Sequence, residues 1–323
     1  MANTSLTSRT SNARAGIAFI LVAMVCVTIN DTVFKSLSDR YPLHQLTLAR
    51  SVIGIAITIV LLQFEGGWRA LRTDRPGLHA FRALLIVVAN ITFFAGLAVM
   101  PLGTATALFF VAPLIITLLS IPFLGEKVGV HRMGAVVVGF LGVAVMLFRG
   151  DLGLGWSAVL PVFAAVCYAG MQILTRKLGV RSPASAMAIY IQGTFIMVGL
   201  GFWIVAGDGR FAEGATHDSV IFLLRAWSWP APEDYWAFGL LGLCAGIVGY
   251  TISQAYRLGD AATIAPYEYS ALPLALFMGW AFFGEWPDLR DAVGIALIGG
   301  AGVYVFLRER RRGMAPSRGP VRR

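Results

Sequence analysis

Charge is scarce in this chain. Asp, Glu, Lys and Arg make up 13% of its 323 residues, about half the share of a soluble globular chain. Cysteine is scarce too: Cys26, Cys167 and Cys244 lie on separate apolar stretches, without disulfide or metal-ligand spacing, and read as small buried hydrophobes. No Gly-x-x-x-x-Gly-Lys-Ser/Thr loop occurs, which argues against ATP hydrolysis on this chain. His-Glu-x-x-His is absent as well, and the four histidines, His44, His79, His131 and His217, are scattered. No metal site and no cofactor are therefore expected.

What fills the chain instead is apolar sequence, 57% of all residues with a mean hydropathy of +0.74. That composition predicts an integral membrane protein. Ten stretches reach the roughly 20 apolar residues needed to cross a bilayer. They run over 15–36, 44–63, 79–99, 104–124, 129–148, 155–175, 183–206, 235–256, 262–283 and 288–308. The first 14 residues, polar and holding Arg9 and Arg14, read as a cytoplasmic lead-in and not as a cleaved signal peptide.

The formal net charge of +9 invites a nucleic-acid reading, but the basic residues alternate by side. With both termini inside, 19 of the 26 Lys and Arg residues fall in inner segments, seven of them in the tail from Arg308 to Arg323. The positive-inside rule accounts for that bias, so no nucleic-acid partner is expected. The expected surroundings are the lipid bilayer of an inner (plasma) membrane, around a monomer or homodimer. One long connection, 207–234, falls outside. Its Trp227, Trp229, Pro230 and Pro232 suggest an interfacial surface anchor or a gating lid.

The chain also repeats itself. Leu102 to Glu126 and Leu258 to Glu285 both open on Leu-Gly, carry a central proline (Pro113, Pro273) and close on Gly-Glu. An offset of 141 residues aligns Cys26 with Cys167, Asp31 with Gln172, Lys35 with Arg176 and Pro42 with Pro183. Five spans repeated once insert the second copy upside down, a pattern of secondary transporters with sites between the repeats. The expected fold class is all-α membrane protein, ten transmembrane helices as two inverted five-helix repeats. The expected divisions are a lead-in 1–14, a first repeat 15–148, a second repeat 155–308 with the outer loop 207–234, and a basic cytoplasmic tail 309–323.

Polar groups inside the spans are the candidate site. Glu268 sits between Tyr267 and Tyr269 in the ninth span, and a carboxylate there costs about 3 kcal/mol on insertion scales. Such groups face a bundle interior or a cavity; Glu268 is either a transport residue or a satisfied packing residue. Asn30 and Asp31 lie roughly 8 Å deep from the outer end of the first span. Arg50 lies at similar depth in the second, so an Asp31–Arg50 ion pair, structural or functional, is geometrically easy. Asn90, Tyr168, Gln172, Gln192, Tyr250 and Gln254 complete the set, the last pair sharing a face at i, i+4. Phe93, Phe94, Phe109 and Phe110 read as packing. Gly242-x-x-x-Gly246 is a small-residue face for close helix contact.

The ten spans, the two Gly-Glu turns (Leu124-Gly125-Glu126, Phe283-Gly284-Glu285) and the Arg50 of Leu48-Ala49-Arg50 resemble the EamA-type branch of the drug/metabolite transporter superfamily. The Pro266-Tyr267-Glu268-Tyr269 stretch and the long outer loop are loosely similar to its S-adenosylmethionine and riboflavin carriers. The resemblance implies a central cavity and secondary, non-ATP transport of a small polar or aromatic metabolite by alternating access. It does not require proton coupling, which Glu268 could supply, and leaves exchange or facilitated diffusion equally open. A polytopic enzyme acting on a lipid-linked substrate is the other class in view. It would normally cluster acids or histidines on interfacial loops, which here are short.

Overall fold

The computed structural model describes residues 2–72, 76–126, 128–148, 156–178, 184–258, 264 and 267–312. Every regular element among them is helical: α1 (Ala2–Leu37), α2 (Leu43–Phe64), α3 (Pro76–Leu97), α4 (Leu102–Phe109), α5 (Ala112–Leu124), α6 (Val130–Leu147), α7 (Trp156–Leu178), α8 (Ala184–Ala206), α9 (Asp218–Leu224), α10 (Tyr235–Leu258), α11 (Ala271–Phe283) and α12 (Leu289–Arg312). Short 3₁₀ turns at Gly67–Leu71 and Pro232–Asp234 join them. Nine helical stretches among the described residues are long and apolar enough to cross a membrane, with α4 and α5 together as one. Exposed Val, Leu, Phe and Trp side chains cover their outer faces, as lipid-facing helices require. The chain is a multi-pass membrane protein.

The polar lead-in is helical, continuous with α1, whose membrane-length part is Arg14–Leu37. The ninth span, expected over 262–283, is interrupted within its described residues. Residues 267–268 are helical, 269–270 form a turn, and α11 starts only at Ala271. Residues 259–263 and 265–266, with Pro266, lie outside the described residues, as do 149–155, 179–183 and 313–323.

The fourth span breaks the same way. Predicted as one helix over 104–124, it divides at Phe110–Val111 into α4 and α5. Proline explains both interruptions: Pro113 and Pro273 have no N–H for the carbonyl four residues back, and their rings crowd it. Those carbonyls belong to Phe109 and Tyr269, where the breaks occur. Both stretches also end alike. Gly125 (φ 69°) and Gly284 (φ 65°) take the left-handed conformation that only glycine adopts freely. Glu126 N–H then donates to Ser120 O at 3.2 Å, and Glu285 N–H to Gly279 O at 3.0 Å, the paired closure of a Schellman C-cap.

The packing is reciprocal. α1 lies along α10 and α3 along α7; α2 meets both α8 and α10, while α3 meets α8; α6 pairs with α12 and α4 with α11. Exchanging α1 with α7, α2 with α8, α3 with α10 and α6 with α12 returns the same list. The glycine face on α10 works within the chain: a Cβ on Gly242 would lie 2.3 Å from Ile53 Cβ, and one on Gly246 2.9 Å from Ile57 Cβ. Backbone approach at those two positions lets α10 seat on α2.

Candidate functional site

Arg50 is the centre of one group of the predicted site residues. Its place in the second turn of α2 puts the guanidinium between α1, α3 and α8, where the residue is 7% exposed. One terminal nitrogen donates to Asn30 Oδ1 at 3.1 Å, and the other donates to Asn90 Oδ1. Three phenyl rings enclose it, Phe34 at 5.1 Å, Phe195 at 5.2 Å and Phe94 at 5.4 Å from Cζ. Ring faces attract a cation, more strongly where water is excluded. Asn30 is held in turn through Nδ2, 3.4 Å from Leu241 O.

The expected ion pair is not what holds Arg50. Asp31 follows Asn30 on α1, a step of about 100° around a helix of 3.6 residues per turn. Asn30 therefore takes the bonding position, and Asp31 shares no hydrogen bond or ion pair with Arg50 among the described residues. Asp31 remains within electrostatic reach of Arg50 and of Cys244. Cys244 on α10 contacts the thiol of Cys26 on α1, a pairing that their separation in sequence hides.

The second group lies around the proline breaks. On α7, Gln172 Nε2 donates to Tyr168 Oη at 2.8 Å across one helical turn. Glu268 lies within electrostatic reach of the Tyr168 and Tyr269 phenols. Tyr269 packs against Gly302 of α12, and its buried hydroxyl finds no partner among the described groups. Tyr267 lends its carbonyl to the Ser270 hydroxyl at 2.6 Å, closing the turn that Pro273 opens.

The phenylalanines taken as packing join the two groups. Phe34 stacks on Phe94 at 3.9 Å, Phe94 meets Phe93 at 5.4 Å, and Phe93 meets Phe109 at 5.2 Å. Phe109 then reaches Tyr168 at 5.3 Å and Phe110 at 6.5 Å, and Phe110 reaches Tyr269 at 5.1 Å. An unbroken run of rings extends from the Arg50 cage to the tyrosines beside Glu268.

A third group is apart from these. Gln254 Nε2 donates to Tyr250 Oη at 2.9 Å and to Glu65 Oε1 at 3.3 Å. Glu65 Oε2 accepts both the N–H (3.1 Å) and the hydroxyl (2.8 Å) of Ser185 at the start of α8. Tyr250 and Gln254 thus share a face as predicted, but they belong to a clip between helix ends. Glu65 and Ser185 escaped the sequence reading because each stands at a helix terminus, where a polar residue is unremarkable. Phe34 was within reach of it, one turn beyond Asn30; Phe195 was not. Gln192 lies against Gly54.

At the other end of the bundle, Lys35 Nζ is 2.7 Å from Glu285 Oε1 and also donates to Met100 O. Glu285 Oε2 accepts the Leu102 N–H at 3.0 Å. Thr104 donates to Asp291 at 2.9 Å beside it. The closing Gly-Glu of the second half therefore caps the first turn of α4 in the first half.

Comparison with known proteins bears on what this arrangement serves. Residues 14–148 match the EamA-like transporter family. The EamA-type resemblance carried by the Gly-Glu turns and Arg50 is borne out. The chain is 29% identical over 319 residues to a riboflavin transporter of Rhizobium johnstonii, covering 98% of this chain and 99% of that protein. An S-adenosylmethionine uptake transporter of Rickettsia prowazekii is 26% identical over 298 residues, covering 92% and 94%. A riboflavin transporter of Vibrio cholerae is 27% identical over 287 residues, covering 88% and 90%. A solved crystal structure superposes with a TM-score of 0.63 at 20% identity, over 94% of this chain and 99% of that one. That likeness concerns the fold alone.

Proposed function

We propose that the chain is a secondary transporter of a small, flat, polar metabolite, moved without ATP between Arg50 and the Glu268 region. The observation that carries this reading is the run of rings from Phe34 to Tyr269, which links a caged cation to a carboxylate across two proline-broken helices. Discontinuous helices at the repeat interface are where secondary transporters bind their cargo. Aromatic faces suit a flat ring, and the donors of Arg50 suit its oxygens. Riboflavin and S-adenosylmethionine, named for the relatives, both contain such a ring and are the first substrates to try.

In this reading the ten spans form two inverted five-helix repeats with both termini cytoplasmic, in an inner membrane. The reciprocal packing list and the matching C-caps at Gly125 and Gly284 support it. Asn30, Asp31, Arg50, Asn90, Tyr168, Gln172 and Tyr267 to Tyr269 line the route. Tyr250 and Gln254 act at one end of it, with Glu65, and alternating access works by making and breaking such end contacts. Transport needs no nucleotide in this reading, and coupling runs by proton or by exchange through Glu268.

Purified protein in proteoliposomes, given labelled riboflavin and S-adenosylmethionine separately, is expected to show saturable uptake of one without ATP. Uptake of neither, from vesicles that hold folded protein, overturns the substrate assignment. Glu268→Gln is expected to lower that uptake while leaving detergent stability unchanged. Wild-type uptake by this variant across the working pH range removes Glu268 from the mechanism.

A further inference from the structure

The connection 207–234 docks on the bundle. α9 buries Phe222 to 3% exposure, Ser219 donates to Ala95 O at 2.7 Å, and Arg225 donates to the carbonyls of Ser38 (3.2 Å) and Asp39. Gln45 and Ser228 exchange two hydrogen bonds, and Tyr41 donates to Asp234 at 2.8 Å. Its hold is mostly polar, with few buried apolar side chains behind it.

Beneath α9, between α2, α3 and α8, is a cavity of about 10 Å³, room for roughly one water. Leu223 roofs it, His44 and Thr47 line one wall, Val87 and Ile91 another, and Phe195 closes it. His44 Nδ1 is 3.1 Å from Leu223 O. A carbonyl only accepts, so Nδ1 donates and Nε2 is an acceptor in the neutral ring. That Nε2 is buried with no partner among the described residues, and so are Thr47 Oγ1 and Ser51 Oγ. The three residues are 3%, 4% and 0% exposed. At positions i, i+3 and i+7 they form one stripe along α2. Arg50 adjoins the stripe, and Phe195, the cavity's far wall, is one of the three rings around Arg50.

Three orphaned polar atoms in a row are costly in a dry interior and are normally met by water or ligand. We infer that this cavity is a hydrated vestibule, through which solute passes from beneath α9, past Phe195, to Arg50. α9 is its lid. Among the described residues the lining holds no charged side chain: one imidazole acceptor, the Thr47 hydroxyl and apolar walls suit a neutral polar ring with N–H or O–H groups, and Ser51 lies one turn further along α2, outside the lining. The destination of the passage rests on the transport reading above, but its hydration does not.

The test uses Thr47→Cys and Ser51→Cys in the full chain in lipid nanodiscs. The probe is (2-sulfonatoethyl) methanethiosulfonate, a charged thiol reagent that reacts only where water reaches. Val52→Cys, on the lipid-facing side of α2 (50% exposed), and the wild type with its three native cysteines set the background. Modification of both stripe positions well above background is expected, rising about tenfold when Arg225→Gln releases the charge-assisted bonds of the lid. Rates at background for both positions, in monodisperse protein, show that no solute-sized molecule passes beneath α9 and overturn the vestibule as a passage. Unchanged rates with Arg225→Gln overturn α9 as its lid. Stripe labelling in a protein that takes up neither riboflavin nor S-adenosylmethionine leaves the vestibule standing and removes the substrate assignment instead.

Discussion

Lys35 and Arg50 are both cations in the first half of the chain, Lys35 half-buried and Arg50 buried, and they are treated oppositely. Lys35 meets a carboxylate at 2.7 Å, a backbone carbonyl and the Phe283 ring at 5.3 Å. Its charge is neutralised by a bonded partner, and that partner ties the end of α11 to the start of α4. Among the described residues Arg50 is bonded only to two neutral amide oxygens, and rings surround it. Burying a cation costs several kcal/mol unless it is paired, so the first arrangement holds helices together. The second keeps a charge in the interior with its partners still neutral, and suits a residue that meets a ligand.

The sharpest way to break this comparison is Arg50→Gln. Uptake is expected to fall about a hundredfold, equivalent to roughly 2.7 kcal/mol, while the purified protein stays folded. Arg50→Lys should recover only part of it, because a compact ammonium lacks the planar guanidinium fork whose two separate nitrogens reach Asn30 and Asn90. Wild-type uptake by the Gln variant would make the two cations alike. Glu285→Gln tests the other side. It leaves Lys35 without its anion and should cost about 2 kcal/mol of stability, discounted for partial exposure of the carboxylate. Thermal unfolding in detergent reads the loss, and replacing Lys35 by Met in the same chain should return part of it.

Asn90→Ala removes one of the two amides facing Arg50. A loss of about 1.5 kcal/mol is expected, visible in both stability and uptake, since a freed guanidinium loses its orientation. An effect on stability alone would class Asn90 with the clasp around Lys35. Asp31→Asn is expected to do least, under about 1 kcal/mol in thermal unfolding. Asp31 acts on Arg50 only through space, and Asn30 retains the bond. A drop as large as that of Glu285→Gln would show Asp31 to be the true counterion.

Much of the architecture was legible in the sequence because lipid leaves few options. Long apolar runs must be helices, and two prolines with two Gly-Glu closures mark a repeat, although the fourth span read as one helix and its break at Phe110–Val111 emerged only in the structure. Candidate side chains could be named for the same reason, since Asn30, Arg50, Asn90 and Glu268 stand out against apolar neighbours. Their partners could not. A step of 100° between Asn30 and Asp31 decided which of them meets Arg50, and helical pitch settles such a choice only after α1, α2 and α3 have packed. Phe93, Phe94, Phe109 and Phe110 are ordinary in a membrane chain; only the crossing of α3, α4 and α7 lines them up. The connection 207–234 read as a surface anchor or a lid, and its docking depends on carbonyls at the ends of α1 and α3, which no side-chain pattern reveals. Sequence alone determined where polar groups are buried, because burial follows from hydropathy. Tertiary structure decided which of them are satisfied, because hydrogen bonds between helices depend on distances the local chain does not encode.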